Sequence, residues 1–301
     1  MNSEPLHINF SGDNLIALNI CLAFIMFGVA LNIKKSHFIQ LAGEKKAIFT
    51  GLFSQLIIVP AMTFLLAITL PVSAGTAMGM ILVAACPGGN VSNFFSMMAK
   101  GNVALAVTLT AVSSVLAFLI TPFNFFFWAS LIPSLSGEIK SLEVGFLQLL
   151  GNMTLVLLLP LLIGMWVSEK YENINIKIGK PVRIVSVLIL SSFIALAFYN
   201  NREAFLTHIS SIFWIVFIQN GLALIVPYFF SKIIGNTEAV NRTIAIESGI
   251  HNSGLGLILI FTFFNGNFQM ALIAAWWGIW HLISGFSYAL IMRNVNLKVK
   301  K

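Results

Sequence analysis

Charge is scarce in this sequence: only 9% of its 301 residues are Asp, Glu, Lys or Arg, while 58% are hydrophobic. Soluble domains carry roughly a quarter of their residues as charges, so a water-soluble fold is excluded. Polar connections long enough to form a separate domain are also missing, since the longest, 168–183, is too short to fold alone. Cysteine is limited to Cys21 and Cys86, whose spacing offers neither a disulfide framework nor a metal motif. No His or carboxylate lies close to either in sequence to serve as a base. The chain has no HExxH, no paired acids within an apolar run and no recognisable Ser/Lys pair, so intramembrane enzyme classes lack their reactive groups. No basic patch suggests a nucleic-acid partner.

What is present is apolar length. With a mean hydropathy of +0.93, nine runs of about 20 residues or more can cross a bilayer. They lie near 12–33, 46–70, 74–99, 103–131, 144–168, 181–199, 208–234, 239–264 and 267–292. The fold class predicted is an all-α polytopic membrane protein forming a single transmembrane unit over residues 1–301. Assigning alternate loops to one side gathers fifteen of the seventeen basic residues there, including Lys34, Lys45, Lys46, Lys100, Lys170, Lys177, Lys298, Lys300 and Lys301; Lys140 and Arg202 fall on the other. The excess of basic loops on the cytoplasmic side then sets the N-terminus outside and the C-terminus inside. The net charge of +7 reflects this topology and suits contact with anionic lipid.

Two of the runs are interrupted. In the eighth, Glu247 stands deep in apolar sequence, where a carboxylate costs several kcal/mol unless it faces a partner or an ion path. Gly249, Gly254 and Gly256 around it are expected to release the backbone from helical geometry. His251, four residues on, shares a helix face with Glu247 if the turn stays helical. In the third run, Pro87 removes a helical hydrogen bond and Gly88 and Gly89 complete the break. Ser92 and Asn93 then open a second half-helix whose amides suit an anion. Five crossings separate the two breaks, an odd number, so the halves carrying them have opposite sense. Matching interruptions in inverted halves mark the binding site of an inverted-repeat transporter.

These residues resemble the bile acid:sodium symporter family. The resemblance runs through Met26-Phe27-Gly28, Gln55 with Pro60, Cys86-Pro87-Gly88-Gly89 to Ser92-Asn93, Gly101-Asn102-Val103-Ala104-Leu105, Glu247 with Asn252-Ser253-Gly254, and Trp280-His281 with Ser284-Gly285. It covers nearly the whole chain. The implied fold has two crossing discontinuous helices, and the first helix of the ten-helix form is expected to be absent. Panel helices would be those near 12–33, 144–168 and 181–199, and core helices those near 46–70, 74–99, 103–131, 208–234, 239–264 and 267–292.

The resemblance also implies sites. A first Na+ site falls on Ser92, Asn93, Thr110 and Glu247, with Ala106 at a fifth position where the family has a hydroxyl. A second falls on Gln55, Glu247, the carbonyls near Ser248 and Ile250, and the side chain of His251, which stands where Gln is usual. Oxygen ligands around one carboxylate suit a hard monovalent cation. Substrate contacts fall on Asn90, Asn252, Ser253 and His281. The function implied is secondary active transport: sodium-coupled symport of an organic anion, bile-acid-like or a small carboxylate, by alternating access. Proton coupling, a single sodium ion, or cation/proton antiport on a similar architecture remain open alternatives. One or two Na+ ions and membrane lipid are the partners implied, with no organic cofactor and no protein partner, in a bacterial inner membrane. Gln219 and Asn220 read as glue between helices, the tract 123–128 as a lipid-facing aromatic surface, and Trp276, Trp277 and Trp280 as packing or interface anchors.

Overall fold

The computed structural model describes residues 12–31, 33–35, 39, 43–135, 146–200 and 202–295. Lys140, Lys298, Lys300 and Lys301, and the start of the fifth predicted run at 144–145, lie outside the described residues. Helices account for the described chain, in the order α1 (Gly12–Ala30), α2 (Lys45–Thr69), α3 (Ala74–Ala85), α4 (Val91–Met98), α5 (Val103–Ser130), α6 (146–170), α7 (Glu172–Asn200), α8 (Arg202–Ile233), α9 (Glu238–Gly249), α10 (Ser253–Phe263) and α11 (Phe268–Asn294). Among the described residues five helical stretches are long and apolar enough to cross a bilayer: Lys45–Thr69, Val103–Ser130, Leu150–Lys170, Ile212–Ile233 and Phe268–Asn294.

The boundaries follow local chemistry. Ser73, Asn102, Thr237, Asn252 and Asn267 each accept a backbone N–H from the first turn of the helix they precede, satisfying an otherwise unpaired donor. Both α2 and α6 contain a widened turn, Ser54–Ile58 and Thr154–Leu158, and each is followed by a proline, Pro60 or Pro160. Proline cannot donate to the carbonyl four residues back. For Pro60 that carbonyl belongs to Leu56, and Asn124 Nδ2 on α5 donates to it at 2.9 Å.

One connection differs from expectation. The stretch 168–183 is helical almost throughout: α6 ends at Lys170 and α7 begins at Glu172, with Pro181 inside it. Its first turns are tied to the end of α1, which explains why polar residues hold helical form there. Asn175 Nδ2 donates to Leu31 O at 3.0 Å, and Lys34 Nζ reaches Glu172 at 2.9 Å. That hydrogen bond and its charge hold the Lys34 ammonium above its ordinary pKa.

The short helices α3 and α10 are buried nearly all round, as expected of helices at the centre of a bundle. They pack with α1, α5 and α11 into one continuous apolar core. The aromatic tract on α5 divides: Phe123 and Phe127 are exposed, whereas Phe125 is fully buried edge-to-face against Phe264 at 5.0 Å. Among the polar groups buried in this bundle, Ser92, Glu247, Ser248 and His251 lie close to where α3 and α9 end.

Candidate functional site

The two interrupted helices meet at their breaks. After α3, Cys86 is extended (φ −70°, ψ 149°), and α4 starts at Val91. After α9, Ile250 is extended (φ −109°, ψ 91°), and α10 starts at Ser253. Gly88 and His251 form an antiparallel bridge. Gly89 N–H donates to Ile250 O at 2.8 Å, and Asn252 N–H donates to Pro87 O at 2.8 Å. Four backbone groups at the breaks, two N–H and two C=O, are thereby paired in the molecule's interior, as buried main-chain polar groups must be.

The second break sits at 250–252, not at the glycines. Gly249 is the last residue of α9, and Gly254 and Gly256 lie within α10. Gly249 serves close packing instead: a Cβ there would fall 2.4 Å from Leu224 Cδ2. Because α9 stops at Gly249, His251 does not lie one helical turn from Glu247. Its Nδ1–H donates to Val83 O at 2.9 Å, its ring stacks on Trp277 with centroids 5.4 Å apart, and Nε2 is buried with no hydrogen-bond partner. A carbonyl only accepts, so Nδ1 carries the hydrogen, and in the neutral ring Nε2 is then a bare acceptor.

Above the bridge lies the carboxylate of Glu247, fully buried. Ser92 Oγ on α4 donates to its Oε1, and Thr110 Oγ1 on α5 donates to Oε2 at 2.8 Å. The two hydroxyls are 3.3 Å apart. Gln55, in the widened turn of α2, donates from Nε2 to Glu247 O at 3.3 Å, and its Oε1 is buried without a partner. Gly88 admits this arrangement, since a Cβ there would lie 2.9 Å from Gln55 Nε2 and 3.0 Å from Glu247 Oε2. Asn93 Oδ1 and Ser248 Oγ are likewise buried and unpartnered. A buried carboxylate with unpartnered oxygens on Gln55 and on the residues next to Ser92 and Glu247 is a donor set that would suit a small hard cation. Ala106, fully buried, contributes only a methyl.

The structure thus brings Ser92, Thr110, Glu247 and Gln55 together by hydrogen bonds, with Asn93 beside Ser92 on α4. Ile250 lends its carbonyl to Gly89, and His251 turns toward Val83 and Trp277. Of the residues expected at the substrate, Asn90 is exposed at the start of α4 and caps nothing. Asn252 accepts Leu255 N–H at 3.0 Å and so caps α10. Ser253 is buried, and its hydroxyl would lie 2.9 Å from a Cβ at Gly278. His281 is buried one turn after Trp277, with Nδ1 unpartnered. Asn90 and Asn252 flank the bridge, while Ser253 and His281 lie on the side of α11.

Gln219 and Asn220 join helices by hydrogen bonds, as expected of them. Asn220 Nδ2 donates to Gly249 O at 2.7 Å, and its Oδ1 accepts from Ser284 Oγ at 2.5 Å, fixing the end of α9 against α8 and α11. Gln219 donates to Thr63 Oγ1 at 3.2 Å and Met80 O at 3.0 Å. Asn124 was hidden within an aromatic tract, and Val83 offers only a carbonyl. An amide side chain in mid-span was the available signal for the first, and nothing in sequence signals the second.

Comparison with known proteins adds three relatives and a family. Residues 19–208 match the model of the Sodium Bile acid symporter family. The chain is 31% identical to the "uncharacterized sodium-dependent transporter YocS" of Bacillus subtilis, covering 94% of this chain and 84% of that one. It is 28% identical to a "probable sodium/metabolite cotransporter BASS2, chloroplastic" of Oryza sativa, over 92% of this chain and 64% of the plant protein. The "ileal sodium/bile acid cotransporter" of Oryctolagus cuniculus is 26% identical, over 87% of this chain and 78% of the rabbit protein.

Proposed function

Because this chain belongs to the sodium bile acid symporter family, we propose that it is a secondary active transporter coupling Na+ to the uptake of a small organic anion. It is an integral membrane transporter and not an enzyme. The observation that carries the reading is the Glu247 carboxylate, buried between two hydroxyls and beside the unpartnered Gln55 Oε1 where the two broken helices meet. A buried carboxylate needs a compensating charge, and a monovalent cation provides one without rebuilding the site.

In this reading Ser92, Asn93, Thr110 and Glu247 hold one Na+. Gln55, Glu247 and the carbonyls near Ser248 and Ile250 hold a second, with His251 Nε2 at its edge. The anion lies against Asn90, Asn252, Ser253 and His281. Each cation that joins the single carboxylate raises the local positive charge and so favours the anion, which makes the two cargoes mutually dependent. Nine crossings arranged as an inverted repeat, with a panel of α1, α6 and α7 moving against the remaining core, would expose this midplane site to each side in turn. Support for the repeat comes from the matched breaks and their antiparallel bridge. The loops rich in Lys favour a cytoplasmic C-terminus in a bacterial inner membrane.

The test is thermal stability of the purified protein titrated with Na+ against choline at constant ionic strength. A ligand confined to the folded state raises stability by RT ln(1 + [L]/Kd). A saturable rise specific to Na+ is expected. Stabilisation by choline alike, or by neither, overturns sodium coupling and leaves proton coupling as the account.

A further inference from the structure

Beyond the carboxylate of Glu247, three helices run together toward the face bearing Lys45, Lys46 and Lys100. Each presents a small side chain one turn from its site residue: Ser96 four after Ser92 on α4, Thr243 four before Glu247 on α9, and Ala106 four before Thr110 on α5. Residues four apart share a helix face, so these three form a second tier behind the first. Ser96, Ala106 and Thr243 are all fully buried. Ser96 Oγ has no hydrogen-bond partner.

A third tier follows one turn further. Asn102 N–H donates to Thr243 Oγ1 at 2.8 Å, and that hydroxyl lies 3.2 Å from Asn102 O, to which it donates. Gly101 lets the backbone pack closely against both tiers, since a Cβ there would stand 2.5 Å from Thr243 Oγ1 and 3.1 Å from Ser96 O. Asn102 Nδ2 in turn donates to both carboxylate oxygens of Glu44, at 3.1 and 3.3 Å. Glu44 is exposed and lines, with Gly43, Ile48, Ala104, Leu105 and Thr108, a cavity of about 280 Å³ that opens to the surface.

We propose that Ser96, Thr243, Asn102 and Glu44 form the route by which a monovalent cation passes between Glu247 and the lysine-bearing face. The inference rests on the sodium-coupling reading above and adds to it a direction and a set of residues. The buried Arg242 guanidinium next to Thr243 is engaged by Glu238, Ala99 O and Val295 O. Carboxylates stand at both ends of the route, with the uncharged oxygens of Ser96, Thr243 and Asn102 between them. Such oxygens replace water around a dehydrated cation without trapping it, whereas a charge in mid-route would hold it. An unpartnered buried hydroxyl is costly for the fold, and a passing cation gives the Ser96 oxygen a use that packing alone does not. Adjacent rungs lie about one helical pitch apart, ~5.4 Å, a spacing over which an ion exchanges one set of oxygens for the next. Glu44, next to the surface cavity, sets one carboxylate among Lys45, Lys46 and Lys100 as a local acceptor for the cation.

The experiment uses Ag+, a monovalent cation that reacts with thiols, on full-length Ser96→Cys in a Cys21→Ala, Cys86→Ala background. Loss of maleimide labelling after brief Ag+ exposure, followed by quenching and denaturation, reports arrival at position 96. Rapid loss is expected, slowed by Na+ over the same concentrations that stabilise the protein thermally, and not reproduced by an anionic thiol reagent. Glu44→Gln should slow the Ag+ reaction severalfold at low ionic strength and not at high, because exposed charges are screened by salt, while leaving the Na+ stabilisation unchanged. Ser96→Ala should keep both the fold and the apparent Na+ affinity. A cysteine at position 96 that Ag+ does not reach, in a protein that Na+ still stabilises, overturns the route. A weakened Na+ affinity in Ser96→Ala also overturns it, by making Ser96 a ligand. Absence of Na+ stabilisation in the parent protein instead defeats the coupling reading itself.

Discussion

Glu247 accepts from Ser92 and Thr110, two uncharged donors, so its negative charge is shared but not neutralised within the site. Glu247→Gln keeps the shape and removes that charge, and thermal titration should then show no Na+-specific rise, with coupled uptake lost. Uptake that survives with its ion dependence intact would sink both cation sites at once. Ala106 offers the opposite change. It lies fully buried one turn from Thr110, so Ala106→Ser adds a hydroxyl within reach of the first site, and the same titration should show a tighter apparent Na+ affinity. At this scale the sequence was most legible where a residue was chemically out of place, as with one carboxylate in apolar sequence. It was least legible for His251. Its side chain is held by the Val83 carbonyl and the Trp277 ring, partners far away in sequence that no local pattern announces.

The half-helices show which breaks a sequence declares. Pro87 with two glycines marked the first break because proline and glycine act on their own backbone. The second was legible in existence but not in position. Gly249 fits tightly against Leu224, a tertiary demand, and the backbone leaves the helix only at Ile250. The widened turns of α2 and α6 were not foreseen either, although a proline follows each. Capping separates the two half-helix starts into different jobs. Asn252 caps α10, so Asn252→Ala should cost about 1 kcal/mol of stability, read as a lowered melting temperature with and without substrate. Asn90 caps nothing; Asn90→Ala should leave the melting temperature in place and weaken uptake, an effect that flux against substrate concentration separates from misfolding.

For the whole molecule, membrane character and family were legible because both rest on long-range statistics of hydropathy and on ordered motifs. Orientation rests on the same kind of statistic. With both native cysteines replaced by Ala, Lys140→Cys should react with an impermeant thiol reagent added outside intact cells, and Lys177→Cys only after lysis. The reverse pattern would invert the direction assigned to transport. The arrangement of panel and core was legible only through resemblance, because which helices move together depends on packing that composition does not encode.

The bridge between the two breaks is made of main-chain groups alone, Gly89 to Ile250 and Asn252 to Pro87. Segments that look like loops by shape are therefore shielded like helix interiors. In hydrogen–deuterium exchange the amides of Gly89 and Asn252 should retain protium as long as the flanking half-helices do, and should be released together, because opening either break unpairs the other. The joint then behaves as one exchange unit spanning residues far apart in sequence, and its opening frequency sets an upper bound on how often the two half-helix pairs can part.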